Sequence, residues 1–379
     1  MEKKKNDFIA QGSILAIASI LVRVMGMIYR IPMTAIIGDK GNGFYSYAYS
    51  VYTILLLLSS YSLPLAVSKM VSAKAQLGQW RNVKRVFICA IAFAIGIGTT
   101  FGLIVLIGAQ FFTRVFFHSE LAAIALRFMA PTILIMALLG VFRGFFQGLQ
   151  NTLPTAVSQI VEGLINAIMS VVFAYFLFDF GHGMDAASGT TDLGYAWGAA
   201  GGAIGTGAGA LAGLIFCFIL FVAYRKILAV NISRDKTGTQ QEYGDIFRLM
   251  LSIALPVILS TALYNLIELV DGSLFNNIMA SKGMEDVKDS MWGAYNAKAL
   301  LLVHIPVSIS SAMAVSLVPT LTAAYALGDE QTAKSKVHAI LRFISILAFP
   351  SAVGLLVLAN PIIKTLFSGD TSAASTYLQ

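Results

Sequence analysis

Nine apolar segments, each long enough to cross a bilayer, leave this chain few folds to choose from. They run approximately over 9–37, 44–70, 84–110, 121–148, 153–179, 194–225, 246–280, 293–325 and 337–362, and a tenth begins near Ser372. About 20 apolar residues cross the hydrocarbon core as a helix. In lipid each backbone polar group must be bonded internally, so such segments are helices. Only 12% of the 379 residues are charged and 57% are hydrophobic, against about 25% charged in a soluble domain. The expected fold is an all-α polytopic membrane protein with no soluble globular domain.

Lysine and arginine placement sets the expected topology, because cytoplasmic loops carry the excess of positive charge. One side holds Lys3, Lys4, Lys5, Lys69, Lys74, Arg81, Lys84, Arg85, Arg143, Arg225, Lys226, Arg234, Lys236, Arg248, Lys334, Lys336 and Arg342. The other holds chiefly Lys40, Arg114, Arg127, Lys282, Lys288 and Lys364. The N-terminus and the 226–245 connection are therefore expected in the cytoplasm of a bacterial cell, and the chain is expected as a multi-pass protein of the plasma membrane. The net charge of +7 follows from these loops and calls for no nucleic acid. The basic start, Met1-Glu2-Lys3-Lys4-Lys5, precedes an apolar run with arginines and no small-residue cleavage site, so it reads as a retained first helix.

Two sets of segments resemble each other at a constant offset of 250 residues. Gly43 and Tyr45 match Gly293 and Tyr295; Leu77-Gly78 matches Leu327-Gly328; Arg114, Phe117 and Glu120 match Lys364, Phe367 and Asp370. Matched loops share one side of the membrane, so the repeat is parallel, about an axis along the membrane normal. The expected organisation is an N-terminal lobe of six spans over 1–225, a cytoplasmic linker over 226–245 and a C-terminal lobe over 246–379. The second repeat holds about three and a half spans and is incomplete beside the first.

Charges inside the membrane are the candidates for function, since a charged side chain in hydrocarbon is costly and usually faces a bundle interior or a wet cavity. Arg23 and Arg30 lie seven residues apart in the first span, on one helical face. They form a cationic stripe suited to an anionic ligand. Gln159, Glu162 and Asn166 share a face of the fifth span, and Asn265, Glu268 and Asp271 a face of the seventh. Lys298 and His304 belong to the eighth. The acidic groups are candidates for binding a coupling Na⁺ or H⁺, or for pairing with the arginines when the site is empty. Against this stand plainer roles: Arg30 snorkelling to the interface, Arg23 in a structural ion pair with Glu162 or Glu268, Glu162 bonding neighbouring helices, Glu268 and Asp271 lining the cavity wall, Lys298 as an interfacial anchor, and His304 as a packing residue.

Other features exclude more than they suggest. Cys89 and Cys217 lie in apolar stretches and read as small core residues. Pro64, Pro131, Pro256, Pro306 and Pro350 fall within or near spans, where kinks are tolerated. The glycines at 198, 201, 202, 205, 207 and 209 are not a nucleotide loop, since no strand precedes them and no lysine follows at the needed place. Small residues at such steps let helices approach closely. HExxH, paired CxxC and GxSxG are absent, and no enzyme is expected.

Three stretches carry a family resemblance. One is Gly26-Met27-Ile28-Tyr29-Arg30-Ile31-Pro32-Met33 with Gly41-Asn42-Gly43-Phe44-Tyr45. The second is Leu63-Pro64-Leu65-Ala66-Val67-Ser68-Lys69. The third runs from Arg143-Gly144-Phe145-Phe146-Gln147-Gly148 through Pro154-Thr155-Ala156 to Glu162. Together they resemble the stage V sporulation protein B group and the MurJ-type lipid II flippases of the multidrug/oligosaccharidyl-lipid/polysaccharide superfamily. The resemblance implies a two-lobed MATE/MurJ-like bundle and alternating access. It also implies transfer of an undecaprenyl-pyrophosphate-linked sugar precursor, lipid II first among them, from inner to outer leaflet. It assigns Arg23 and Arg30 to the pyrophosphate. The implied partners are the lipid-linked oligosaccharide, membrane lipids and proteins of cell-wall synthesis, with no cofactor beyond a coupling ion. Two departures stand out: the arginines are one residue further apart than in the Gram-negative-type flippases, and Tyr45 to Ser62 has no arginine. A cation-coupled multidrug antiporter and a non-transporting scaffold for wall or sporulation assembly are the competing readings.

Overall fold

The computed structural model describes residues 18–310, 313, 329–367 and 371–379; the side chains at 61 and 262–264 lie outside that description. The lysines at 3–5, the Leu327-Gly328 turn, Asp370 and much of the 293–325 span are not among the described residues. The described residues form helices and their connections, and seven helices are long and apolar enough to cross a membrane. The all-α expectation holds.

Helix α1 is Ala18–Ile28 and α2 is Arg30–Leu56. The i→i−4 bonding continues through Tyr29, whose N–H donates to Met25 O and whose carbonyl accepts from Met33. The real break comes at Gly38, with φ 62°, a left-handed conformation that glycine adopts without steric cost. The first span therefore ends at Ile37. The second runs on through a π-turn, Leu57–Tyr61, into α3, Leu63–Gln76. Then follow α4 Trp80–Phe117, α5 Ala122–Gly148, α6 Leu153–Ser188, α7 Leu193–Ser233 and α8 Tyr243–Ser281. Beyond them lie α9 Glu285–Ala294, a π-turn at Tyr295–Ala299, α10 over 300–310, α11 Glu330–Val357, α12 Ala359–Leu366 and α13 Ser372–Leu378.

The repeat is visible in the helix boundaries. Helix α4 begins at Trp80 and α11 at Glu330; α5 begins at Ala122 and α13 at Ser372. Both intervals are the offset read from the sequence. Phe117 closes α4, Phe367 follows α12, and both are buried.

Helices α6 and α7 pack along their whole length because α7 presents a ridge of glycines. A Cβ at Gly201, Gly205 or Gly209 would overlap the backbone of α6 at Phe173–Ala174, Ser170 or Glu162. This is the close helix approach expected of the small-residue run. The lipid-sized apolar faces of α4 and α6, such as Ile107, Phe111, Tyr175 and Phe176, are exposed, as a hydrocarbon solvent requires.

Two boundaries differ from expectation. Residues 226–233 continue α7, and 243–245 already belong to α8, so the connection is 234–242. A helix needs no apolar residues once it has left the membrane, so polarity misplaced these ends. The start of α8 also packs on α4 within the first repeat. Ile246 and Met250 join its core, Phe247 meets Phe93 edge-on at 5.5 Å, and Arg85 lies 5.1 Å over the Tyr243 ring.

Candidate functional site

The side that the lysine and arginine distribution assigns to the exterior is termed outer. Arg23 lies on α1 and is exposed; Arg30 opens α2 and is half-buried. Among the described residues neither forms an ion pair. Arg30 lies in electrostatic range of Tyr29, Tyr45 and Tyr49. Tyr45 and Tyr49 stack with ring centroids 5.8 Å apart. His304 of α10 lies within range of Arg30, Glu268 and Arg23, and Glu268 of α8 accepts from Ser50 Oγ at 3.3 Å. The first, seventh and eighth spans thus bring Arg23, Arg30, Glu268 and His304 within electrostatic range of one another, beside the tyrosines of α2. The tyrosines and Ser50 were not singled out in the sequence. Their signal was the spacing of Tyr45, Tyr49 and Tyr52 on one face of α2.

Other candidates fall elsewhere. Glu162 pairs with Arg143 (Nη2 to Oε2, 2.6 Å), while Arg143 Nε donates to Ser158 Oγ at 2.8 Å. Arg143 is buried, not a loop residue, and it is Glu162's partner in place of Arg23. Its position amid Phe142, Phe145 and Phe146 was the available signal. Asn166 accepts from Ser170 Oγ at 2.8 Å inside the α6–α7 contact. Asn265 donates to the Thr261 carbonyl of its own helix, and Asp271 is exposed. Glu162 nonetheless lies in electrostatic range of Tyr52 on the tyrosine face of α2, and α6 meets α1 beside it, at Gly163 against Val22 and Met25.

Lys298 corrects the largest misreading. It is 1% exposed and its Nζ lies 2.8 Å from the Asp39 carboxylate. It is a strut between the repeats, neither cavity lining nor an interfacial anchor. The same seam is closed at its outer end by backbone contact. A Cβ at Gly43 would overlap the carbonyl oxygen of Asp289, and one at Gly293 would overlap that of Asp39. Lys288 Nζ donates to the carbonyls of Phe117 and His118 at 3.1 and 2.8 Å, satisfying the free carbonyls at the end of α4. Tyr47 donates to Asn276 Oδ1 at 3.0 Å. Burial pushes the Asp289 carboxyl up to about 6, against the pull of Lys288 and Lys40. Burial likewise lowers the Lys288 ammonium, with Asp289 and Glu285 opposing.

Among the described residues no group of three or more His, Cys, Asp or Glu side chains is placed to hold a metal ion. The chemistry available is ionic and conformational: two guanidinium groups without an ion pair among the described residues, Arg30 beside Tyr29, and a seam between the repeats.

A family model described as polysaccharide biosynthesis protein matches residues 8–324, and a second of the same description matches 285–374. The chain is 26% identical over 371 residues to "Lipid II flippase MurJ" of Bacillus subtilis (strain 168), covering 95% of this chain and 65% of that protein. It is 24% identical over 375 residues to "Stage V sporulation protein B" of the same organism, covering 98% of this chain and 68% of that protein. The chain thus spans about two thirds of the length of these relatives. Among solved structures, the inward-facing conformation of a multidrug resistance MATE family transporter of the MOP superfamily superposes with TM-score 0.70 at 13% identity, over 95% of this chain and 78% of that one. The outward-facing conformation of a MATE family transporter gives 0.60 at 15% identity, over 98% and 77%. None of these names is that of an enzyme, in line with the expectation from the sequence. With the first family model matching most of its length, the chain belongs to the polysaccharide biosynthesis protein family, as a multi-pass membrane protein of MATE-like fold.

Proposed function

We propose that the chain acts as a flippase for an undecaprenyl-pyrophosphate-linked sugar precursor, with lipid II as the first candidate, moving it from inner to outer leaflet by alternating access. The observation that carries this is a contrast among intramembrane cations. Arg143 and Lys298 are held in ion pairs; Arg23 and Arg30 are without one among the described residues. A diphosphate crossing hydrocarbon is opposed by desolvation of its charge. Guanidinium groups in a wet cleft lower that barrier by forked hydrogen bonds to phosphate oxygens. In this reading the N-terminus is cytoplasmic, the outer seam is closed and the arginines are reached from the inner leaflet. The higher similarity to an inward-facing transporter supports that state. Glu268, in range of His304 and bonded to Ser50, is the candidate for a coupling Na⁺ or H⁺.

The test is flipping of fluorescent lipid II in proteoliposomes by the wild type, Arg23→Ala and Arg30→Ala. Transport by the wild type, lost in both variants with normal insertion, is expected. Unimpaired transport by both variants would sink the assignment. An antiporter would show the reverse dependence, with Glu268 required and the arginines dispensable.

A further inference from the structure

Asp289 sits where the two repeats meet at the outer end. Its backbone carbonyl touches Gly43, the residue is 8% exposed, and its Oδ1 has no hydrogen-bond partner. A buried carboxylate oxygen without a donor is costly as an anion. The groups around it do not remove that cost. Lys288, on its own helix, is committed to the Phe117 and His118 carbonyls. Lys40 of α2 is committed to Asp192, 2.8 Å away at the start of α7. Asp39 of α2 faces Lys298. Tyr47 of α2 donates to the uncharged Asn276 of α8, and its hydroxyl also favours the Asp289 carboxylate, though by less than burial disfavours it. Tyr377 of α13, edge-on to Tyr295 at 6.1 Å, and His118 of α4 complete the titratable groups of the packed elements.

We infer that Asp289 is a proton site of the outer seam, protonated while the repeats are closed on one another there and releasing its proton to the outer face when they part. The closed seam holds the carboxyl up to about 6, whereas a hydrated aspartate titrates near 3.9. The sign follows. Protonation favours the closed seam, this advantage is complete below about pH 4, and it is lost as pH rises through about 6. Two pKa units correspond to a shift of about 100-fold in the closed-to-open ratio. Opening at neutral external pH is thereby assisted, and an acidified outer surface holds the seam shut. The inference rests on the alternating-access part of the proposed function and is independent of the lipid carried.

The experiment is double electron–electron resonance on the full chain in nanodiscs, without substrate. Spin labels go on Ala187→Cys and Lys282→Cys, both exposed, with Cys89 and Cys217 replaced by serine. Between pH 4 and 8 the wild type should gain a longer-distance population, with the change falling between about 4 and 6 and levelling off above that. Asp289→Asn, a mimic of the neutral acid, should stay at the short distance throughout. Lys40→Gln removes a charge that favours the carboxylate and should move the midpoint to higher pH. It also serves if Asp289→Asn does not fold. A pH response that survives in Asp289→Asn would belong to another group such as His118, and would overturn the inference. So would a wild type with no response, or an unmoved midpoint in Lys40→Gln. Lipid flipping is read separately, so loss of the pH response with transport intact leaves the proposed function standing.

Discussion

Gly43 and Gly293, 250 residues apart in the chain, pack reciprocally. Each lies against the backbone carbonyl of the aspartate four residues before the other, Asp289 and Asp39. The aspartates are themselves 250 residues apart. The contact is what a parallel repeat produces when two equivalent helices meet on its axis, and it leaves no room for a side chain.

A methyl group at either position should therefore hold the seam apart. The obstructing atoms are backbone, which cannot swing away, and overpacking of this kind costs about 1–3 kcal/mol. Gly293→Ala should shift the closed-to-open ratio by roughly 5- to 150-fold toward open. Thiol labelling of a cysteine at Tyr47 is the readout, faster in the variant than in the parent.

The Arg143–Glu162 pair predicts a stability effect with a rescue. Removing one partner of a buried pair costs about 3–5 kcal/mol, whereas replacing both by apolar residues is often neutral. Arg143→Ala and Glu162→Ala should each lower the melting temperature of purified protein. Arg143→Met with Glu162→Leu should recover most of it. A double variant as unstable as the singles would mean the charges serve another partner.

Along α7, substitution should be tolerated or not according to what lies opposite. Gly205→Ala would drive a methyl into the Ser170 backbone, while Gly96 on α4 has nothing within 4 Å of the same position. Gly205→Ala should reduce the yield of monodisperse protein in size-exclusion chromatography; Gly96→Ala should leave it unchanged or slightly raised, by helix propensity.

The connection 234–242 should be held by one carboxylate. Asp235 accepts from the Arg81 N–H at the start of α4 and from Thr237. These bonds, the Arg81 N–H foremost, lower its carboxyl to about 2. A depressed pKa means that the tether is complete above about pH 4 and lost only as pH falls through about 2. Asp235→Ala should expose Arg234 and Lys236 to trypsin at neutral pH, measured as faster cleavage there.

For the cleft arginines, Arg30→Lys separates charge from geometry. Lysine keeps the cation but loses the planar fork. If the ligand is a pyrophosphate, flipping should fall but not vanish, midway between the wild type and Arg30→Ala. Full activity would mean that charge alone suffices.

Much of the fold was legible because lipid imposes a single rule on every span. Apolar length marked the helices, and the 250-residue offset at Gly43/Gly293 and Phe117/Phe367 marked the repeat. The candidate site was legible only as a set of charges. Arg143 was counted among the loops because loop and buried arginines look alike in a charge count. Lys298 looked like a cavity residue because its partner, Asp39, is 259 positions away.

The sequence by itself determined that this chain crosses the membrane as helices, twice over in the same pattern, and that it carries cations where hydrocarbon disfavours them. Local composition suffices for such facts, since they depend on the cost of exposing backbone and charge to lipid. Only the tertiary structure decided which cations are neutralised and which remain without an ion pair among the described residues, and that the seam shuts through two glycines. Pairing and close approach depend on distances between residues far apart in the chain, and these exist only once the helices have packed.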